Sequence, residues 1–416
     1  MENILEDLIY RGLIEQYSDE EKVKKLLESK QTIYCGFDPS AGSMHLGNYV
    51  MISLLKRFQL AGHKVVALVG GATGMIGDPS GKSKERNIQT KEVLEANTAS
   101  IKAQLERYID LSSPEKGIVV SNYEWLGNMT MIDFLRDYGK YFSINYMMSK
   151  EIVKSRLEAG ISFTEFSYQI LQSIDFYHLH HNYGVNIQLG GNDQWGNLTS
   201  GLELIRKIDG DNEEVAVMTA HLILRSDGKK FGKSEKGALF LDRNLTSPYA
   251  MYQYFMNVTD EDAIRFLKIF TFLSREEIES IARDHFEHIG ARIGQKAVAY
   301  EVTKDIYGEE AAKEAIAMSE ALFSGQVTVL KEDELNEVFG DFKVKINDNT
   351  PLVDLLVEIK AASSKREART FIQGNSVVIN GEKCTDVEKV ISKADSLYGK
   401  YIVIRRGKKN YYLGEF

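Results

Sequence analysis

Cysteine and proline are scarce in this chain of 416 residues, which holds two cysteines, Cys35 and Cys384, and five prolines. Two cysteines so far apart exclude a disulfide framework and a cysteine-rich zinc site, and they suit a reducing compartment. No run of about 18 apolar residues occurs, so no membrane-spanning helix is expected. The first residues, Met1 to Asp7, are acidic and amphipathic, as are Glu20 and Glu21 further on. A start of that kind is neither a secretory signal nor an Arg-rich transit peptide, and a cytoplasmic location is expected. Positive charge is also in deficit: 51 Lys+Arg stand against 60 Asp+Glu, a net charge of -9. That balance argues against a protein that coats nucleic acid through its overall charge.

What is present is ordinary globular material, 43% hydrophobic and 27% charged, in a chain long enough for two or three domains. Thr32 to Phe37 reads as a strand, Leu46 to Phe58 as a helix with its apolar residues on one face, and Val65 to Val69 as a buried strand. The alternation continues with a helix over Lys91 to Leu111, a strand over Gly117 to Ser121, a long helix over Ser162 to His181 and a strand over Val185 to Leu189. A helix through Leu198, Leu202 and Ile205 follows. Repeated strand–helix–strand units predict an α/β fold on a parallel sheet. From Thr259 to Phe323 the pattern is helical and charged. Acidic and polar residues between Gly325 and Asn349 read as a linker. The last segment, Pro351 to Phe416, starts as a helix and continues as short strands, with Asn380-Gly381 as a tight turn.

That last segment holds 12 Lys+Arg and 8 Asp+Glu, a surplus of +4, which leaves -13 on the other residues. A basic tail on an acidic body fits an appended nucleic-acid surface and fits equally a solvated face with surplus lysines.

Four stretches carry chemistry. Gly77 to Ser83 imitates a phosphate loop, but three residues rather than four separate its glycines, and Pro79 has no N–H to offer. Lys82 and Arg86 remain as candidate phosphate contacts. Asp38 to Asn48 lies at a strand-to-helix junction, where helix N–H groups suit a triphosphate, His45 can donate and Gly47 lets a flat base approach. A histidine there also reads as a cap. Asp227 to Ser234 places lysines between glycines, either to neutralise a departing pyrophosphate or as a plain surface turn. Tyr168, Gln172 and Asp175 share one face of a helix, a costly arrangement for buried polar groups unless something pairs with them. A histidine cluster, His178, His180 and His181, sits at that helix's end without the acidic or cysteine partners of a metal site.

His45-Leu46-Gly47-Asn48 and Lys230-Phe231-Gly232-Lys233-Ser234 resemble the two signatures of class I aminoacyl-tRNA synthetases. Tyr34 to Pro39, Tyr168 to Phe176 and Gln188 to Asn197 are similar to stretches of the bacterial-type tyrosyl-tRNA synthetases. Ser364 to Arg369 with Gly374, Val377 and Ile379-Asn380-Gly381 resembles a small RNA-binding domain shared with a ribosomal protein. The resemblance implies a Rossmann-like catalytic domain over 1–222, a second-signature loop and α-helical tRNA-binding domain over 223–325, a linker over 326–350 and an α+β RNA-binding domain over 351–416. It implies tyrosine, ATP with Mg²⁺ and tRNA as partners, a homodimer, and neither DNA nor a membrane. Tyr34 and Asp175 would read the substrate's phenol, Tyr168, Gln172 and Asp78 would hold its ammonium group, and Gln194 would join the tyrosine site. Cys35, Asn48, Gly191 and Asp193 would meet the ribose and Gly47 the base, with Gly36 and Asp38 beside the nucleotide. His45, Lys230 and Lys233, helped by Lys82 and Arg86, would neutralise the pyrophosphate. Lys365, Arg366 and Arg369 would contact RNA. Asn48 departs from the histidine usual in the first signature, and Phe231-Gly232 depart from the commoner Met-Ser. The nearest rival is a tryptophanyl-tRNA synthetase, which the paired hydroxyl readers Tyr34 and Asp175 oppose. A second rival is a non-catalytic RNA-binding protein on the same scaffold, which would be expected to lose these lysines or pocket groups.

Overall fold

The computed structural model describes residues 4–80, 89–157, 160–211, 214–228, 231–234, 237–407 and 410–416. The chain divides into two compact units, Met1–Thr246 with Val258–Val298, and Ser247–Asn257 with Ala299–Phe416. Residues 258–298, expected with the helical domain, therefore pack with the first unit.

The first unit is built on six strands: β1 Ile14–Tyr17, β2 Thr32–Phe37, β3 Lys64–Val69, β4 Gly117–Ser121, β5 Val185–Gly191 and β6 Ala216–Ala220. Their order is β1-β6-β5-β2-β3-β4, with every pair parallel except β1 against β6. Helices α1 Leu46–Leu60, α2 Lys91–Tyr108, α3 Phe163–Tyr183 and α4 Trp195–Asp209 accompany the strands. The strand order reverses at β2, which lies between β3 and β5, and this reversal opens a crevice at the strands' carboxyl ends. The register sets Tyr34 level with Val66 on one side and Gln188 on the other. Buried Val66, Leu198 and Val217 pack with Phe176 and Leu179 of α3, which anchors that helix to the sheet. Ser162 caps the start of α3 by accepting from the Glu165 N–H, and Gly184 ends it at φ 67°. Strands β1 and β6 carry no clear sequence signal. They are only four and five residues long, too short for a period to show.

In the second unit, β7 Lys343–Lys345, β8 Val377–Ile379, β9 Glu382–Lys383, β10 Tyr401–Arg406 and β11 Asn410–Glu415 form a sheet in the order β9-β8-β10-β11-β7. Asn380 and Gly381 join β8 to β9 with φ of 45° and 91°, the positive pair a two-residue hairpin requires. Helix Lys365–Gln373 packs Ala368 and Ile372 with Leu352, Leu356, Val377 and Ile402. The stretch 326–350 is not a bare linker. Helix Glu332–Phe339 puts Glu332, Asp333 and Glu334 in its first turn and buries Leu335 and Phe339 with Met318 and Val403, while β7 pairs with β11.

Candidate active site

A cleft of about 1000 Å³ opens at the carboxyl ends of β2 and β5. Every described residue expected to meet tyrosine or nucleotide lines it: Tyr34, Cys35, Gly36, Asp38, His45, Gly47, Asn48, Asp78, Tyr168, Gln172, Asp175, Gly191, Asp193, Gln194 and Lys233. Lys82, Arg86 and Lys230 lie outside the described residues.

The deep end is set by α3 and β2. Asp175 on α3 and Tyr34 on β2 are each 1% exposed. The Asp175 carboxylate accepts from Asn122 Nδ2 at 3.0 Å and from Trp125 Nε1 at 2.8 Å. Burial outweighs these two bonds and, with the nearby charge of Asp38, pushes the Asp175 carboxyl up to about 7. The Tyr34 hydroxyl is buried without a hydrogen-bond partner, and burial followed by the charge of Asp175 raises its pKa well above the usual value. A carboxylate can accept and a tyrosine hydroxyl can donate or accept, so the two groups together could pair with one hydroxyl placed between them.

Further out, the three polar residues of α3 face the cleft as their spacing requires. Tyr168 donates its hydroxyl to Asp38 at 2.8 Å, and Gln172 Oε1 is buried without a partner. Thr73 donates to the other Asp38 oxygen at 2.8 Å and accepts from Asn122 at 2.9 Å. One chain of hydrogen bonds thus runs from Asp175 through Asn122 and Thr73 to Asp38 and Tyr168. Asp38, expected beside the nucleotide, is held by the Tyr168 and Thr73 hydroxyls. Asp78 accepts from Gln194 Nε2 at 2.6 Å and from the Ser80 hydroxyl at 2.6 Å. Four aspartates line the cleft, Asp38, Asp78, Asp175 and Asp193, and they favour a cationic group on whatever enters.

At the outer end, His45 caps α1. Its Nδ1 accepts from the Asn48 N–H at 3.3 Å, and Asn48 Oδ1 accepts from the His45 N–H at 3.1 Å. With Nδ1 accepting, the neutral ring carries its proton on Nε2, so His45 acts as a donor there. Gly47 has to be small, since a Cβ would lie 2.9 Å from the His45 ring. Asn48 therefore serves the helix cap, in the place where the family more often has histidine. The two signatures are stitched by backbone: Leu46 donates to Leu239 at 2.7 Å, Leu241 to Met44 at 2.8 Å, and Leu239 to Gly232 at 2.9 Å. Phe231 stacks on Phe270 with centroids 4.9 Å apart and meets Phe266 edge-on at 5.1 Å, which sets Phe231 beside helix Asp260–Phe270. Burial pushes the Cys35 thiol up to about 12, so it stays protonated at the cleft wall.

Thr73, Asn122 and Trp125 hydrogen-bond Asp38 and Asp175 at the cleft, and sequence reasoning misses them. A position just after a parallel strand is the available signal, and Asn122 directly follows β4. The histidine cluster disperses: His180 Nδ1 meets the Val185 carbonyl at 2.8 Å, His181 Nε2 meets Asp209 at 3.4 Å, and His178 stacks on Trp125. Lys365, Arg366 and Arg369 belong to the helix Lys365–Gln373 of the second unit, with Lys365 Nζ 2.7 Å from Asp354.

A family model for tRNA synthetases class I (W and Y) matches residues 26–324, and one for the tyrosine–tRNA ligase SYY-like C-terminal domain matches residues 334–414. The second match begins inside the stretch read as a linker. Tyrosine–tRNA ligases of Bacillus caldotenax and Staphylococcus carnosus (strain TM300) are 50% and 48% identical to the chain, each over 99% of both sequences. A C-terminally truncated mitochondrial tyrosyl-tRNA synthetase of Aspergillus nidulans aligns with a TM-score of 0.70 and 30% identity, covering 78% of this chain and 95% of that one. A tryptophanyl-tRNA synthetase of Encephalitozoon cuniculi shares the fold alone, with a TM-score of 0.53 at 14% identity over 74% of this chain and 87% of that one. Identity near one half along the whole length, together with both domain matches, means that the chain belongs to the class I aminoacyl-tRNA synthetases, in the bacterial-type tyrosine–tRNA ligase family.

Proposed function

We propose that the chain activates L-tyrosine with ATP and then transfers the tyrosyl group to the 3′ end of tRNA(Tyr). The observation that carries this reading is the deep end of the cleft. There a buried tyrosine hydroxyl without a partner faces a carboxylate on α3, below a rim formed by both signatures. The substrate phenol donates to Asp175 and accepts from Tyr34. Its ammonium group is held by Tyr168, Gln172 and Asp78, with Gln194 fixing Asp78. Phenylalanine gives the buried Tyr34 hydroxyl no partner and offers Asp175 no third donor beyond Asn122 and Trp125, so it is disfavoured at binding.

A tyrosine carboxylate oxygen attacks the α-phosphorus of ATP, and the bond to pyrophosphate breaks as pyrophosphate leaves with the electron pair. The His45 Nε2–H, Lys230 and Lys233 neutralise the charge that builds on it, with Lys82 and Arg86 assisting. Cys35, Gly36, Asp38, Asn48, Gly191 and Asp193 position the nucleotide, and Gly47 leaves room for its base. Mg²⁺ enters with ATP as part of the substrate. A terminal ribose hydroxyl of the tRNA then attacks the tyrosyl carbonyl and AMP departs. Catalysis is positioning plus charge stabilisation, without a covalent enzyme intermediate.

In this reading 1–222 performs activation, 223–325 brings the second signature and helical tRNA contacts, and 351–416 grips RNA through Lys365, Arg366 and Arg369. The enzyme works in the cytoplasm. It works as a homodimer, a proposal supported by exposed apolar residues between 131 and 163: Met131 at 76%, Ile132 at 67%, Ile144 at 58% and Phe163 at 73%. ATP–pyrophosphate exchange run with each amino acid in turn tests the function. Exchange should depend on tyrosine, and exchange supported by tryptophan instead would overturn the assignment.

A further inference from the structure

One group beside the pocket takes no part in the proposed reaction. His178 follows Asp175 by three residues on α3, so both side chains lie on one face of that helix. Between them stands Trp125, from the short helix after β4. Its indole N–H donates to Asp175 Oδ1 at 2.8 Å. Its ring lies flat against the His178 imidazole, with centroids 4.2 Å apart and planes 14° apart. His178 is in turn tethered to its own helix by Asn182, whose Nδ2 is 3.3 Å from His178 Nδ1.

We propose that His178 is a positioning residue for amino-acid selection, clamping the Trp125 indole so that its N–H holds Asp175 in the orientation that reads a phenol. The proposal rests on the assignment of Asp175 as that reader. Trp125 is only partly buried, packed at the margin of the core formed by Phe176, Leu179 and Leu198, and it belongs to a helix of four residues. So short a helix does little to fix a ring; Trp125 also packs at the edge of the cluster of Met147, Ile170, Ile174 and Leu204, and the imidazole that lies parallel to the indole is the contact that bears on its plane. The plane decides where the N–H points, because that bond lies within it. A tilted indole withdraws one of the two donors from Asp175 and leaves Asn122 alone to orient the carboxylate.

The test is a double-substitution cycle in the full-length enzyme, read as the tyrosine-over-phenylalanine ratio of kcat/KM in ATP–pyrophosphate exchange. His178→Gln removes the ring yet keeps a polar end for Asn182. It should lower the ratio roughly three- to tenfold, the scale of one aromatic pair, while the KM for ATP stays within about twofold of the native value. His178→Phe, which keeps a flat ring, should restore most of the ratio. In a Trp125→Phe background, which lacks the indole N–H, His178→Gln should have no further effect on the ratio. An undiminished effect of His178→Gln in that background, or an unchanged ratio in the single variant, overturns the proposal. Asp175→Asn serves as the control for the assignment beneath it. If Asp175→Asn leaves the ratio intact, the phenol-reader assignment has failed. If Asp175→Asn collapses the ratio and His178→Gln does not, only the clamp has failed.

Discussion

Asp175 places a sharp conflict between stability and function at the bottom of the pocket, and replacing it with asparagine measures that conflict. Its carboxyl stands at about 7 against an ordinary 3.8, with burial the main cause. At roughly 1.4 kcal/mol per pKa unit, keeping Asp175 ionised costs the folded enzyme about 4 kcal/mol at pH 8. The pKa is raised on folding, so the cost is absent below about pH 4, grows between pH 4 and 7, and is complete above 7. At pH 5 it has shrunk to about 2 kcal/mol. Asp175→Asn removes the charge but keeps a single acceptor oxygen for two donors, Asn122 Nδ2 and Trp125 Nε1. One donor is orphaned at a cost of about 1–3 kcal/mol. The variant should therefore be more stable than the native enzyme by about 1–3 kcal/mol at pH 8, and about equally stable at pH 5. Urea unfolding of the free enzymes at the two pH values measures this. The same substitution should raise the tyrosine KM, because a charge-assisted bond to the phenol disappears. In the native enzyme the tyrosine KM should rise as pH falls through about 7, and in the variant it should not. A variant less stable than native at pH 8, or a stability difference that ignores pH, would refute the reasoning.

Two further outcomes follow from the loop and the tail. Phe231→Ala removes the stack on Phe270 and the edge-on packing against Phe266, so adenylate formation in single turnover should slow by roughly three- to tenfold while tyrosine affinity holds. A variant with weakened tyrosine binding and a normal chemical rate would contradict the anchoring role. Replacing Lys365, Arg366 and Arg369 together with alanine should flatten the salt dependence of tRNA binding by roughly 0.7–0.9 in the log–log slope for each phosphate that is no longer neutralised. Tyrosine-dependent exchange should be unaffected, and an unchanged salt slope would remove these residues from the RNA surface.

What can be read from the sequence, and what cannot, follows from how far apart the interacting residues lie in the chain. Tyr168, Gln172 and Asp175 share a helix face, and periodicity alone places them together. His45 and Asn48 cap one another across three residues, again a local relation. The stretch 326–350 departs from the linker expected of it although its signal is local: Leu335 and Phe339 repeat at helical spacing behind Glu332, Asp333 and Glu334, which suit a helix start. Asn122 and Trp125 are a different matter. They reach Asp175 across 53 and 50 residues, and only the order of the sheet delivers them. Because β4 pairs with β3 and β3 with β2, the chain leaving β4 arrives at the edge of the crevice where α3 presents its polar face. No pattern within either segment encodes that meeting. Most residues proposed to bind substrate are thus legible, lying in a signature, a family-like stretch or on a periodic face, whereas Asp78 is named by resemblance alone. The residues that tune Asp175 are hidden, because a side chain that orients another can come from any strand end the topology brings within about 3 Å.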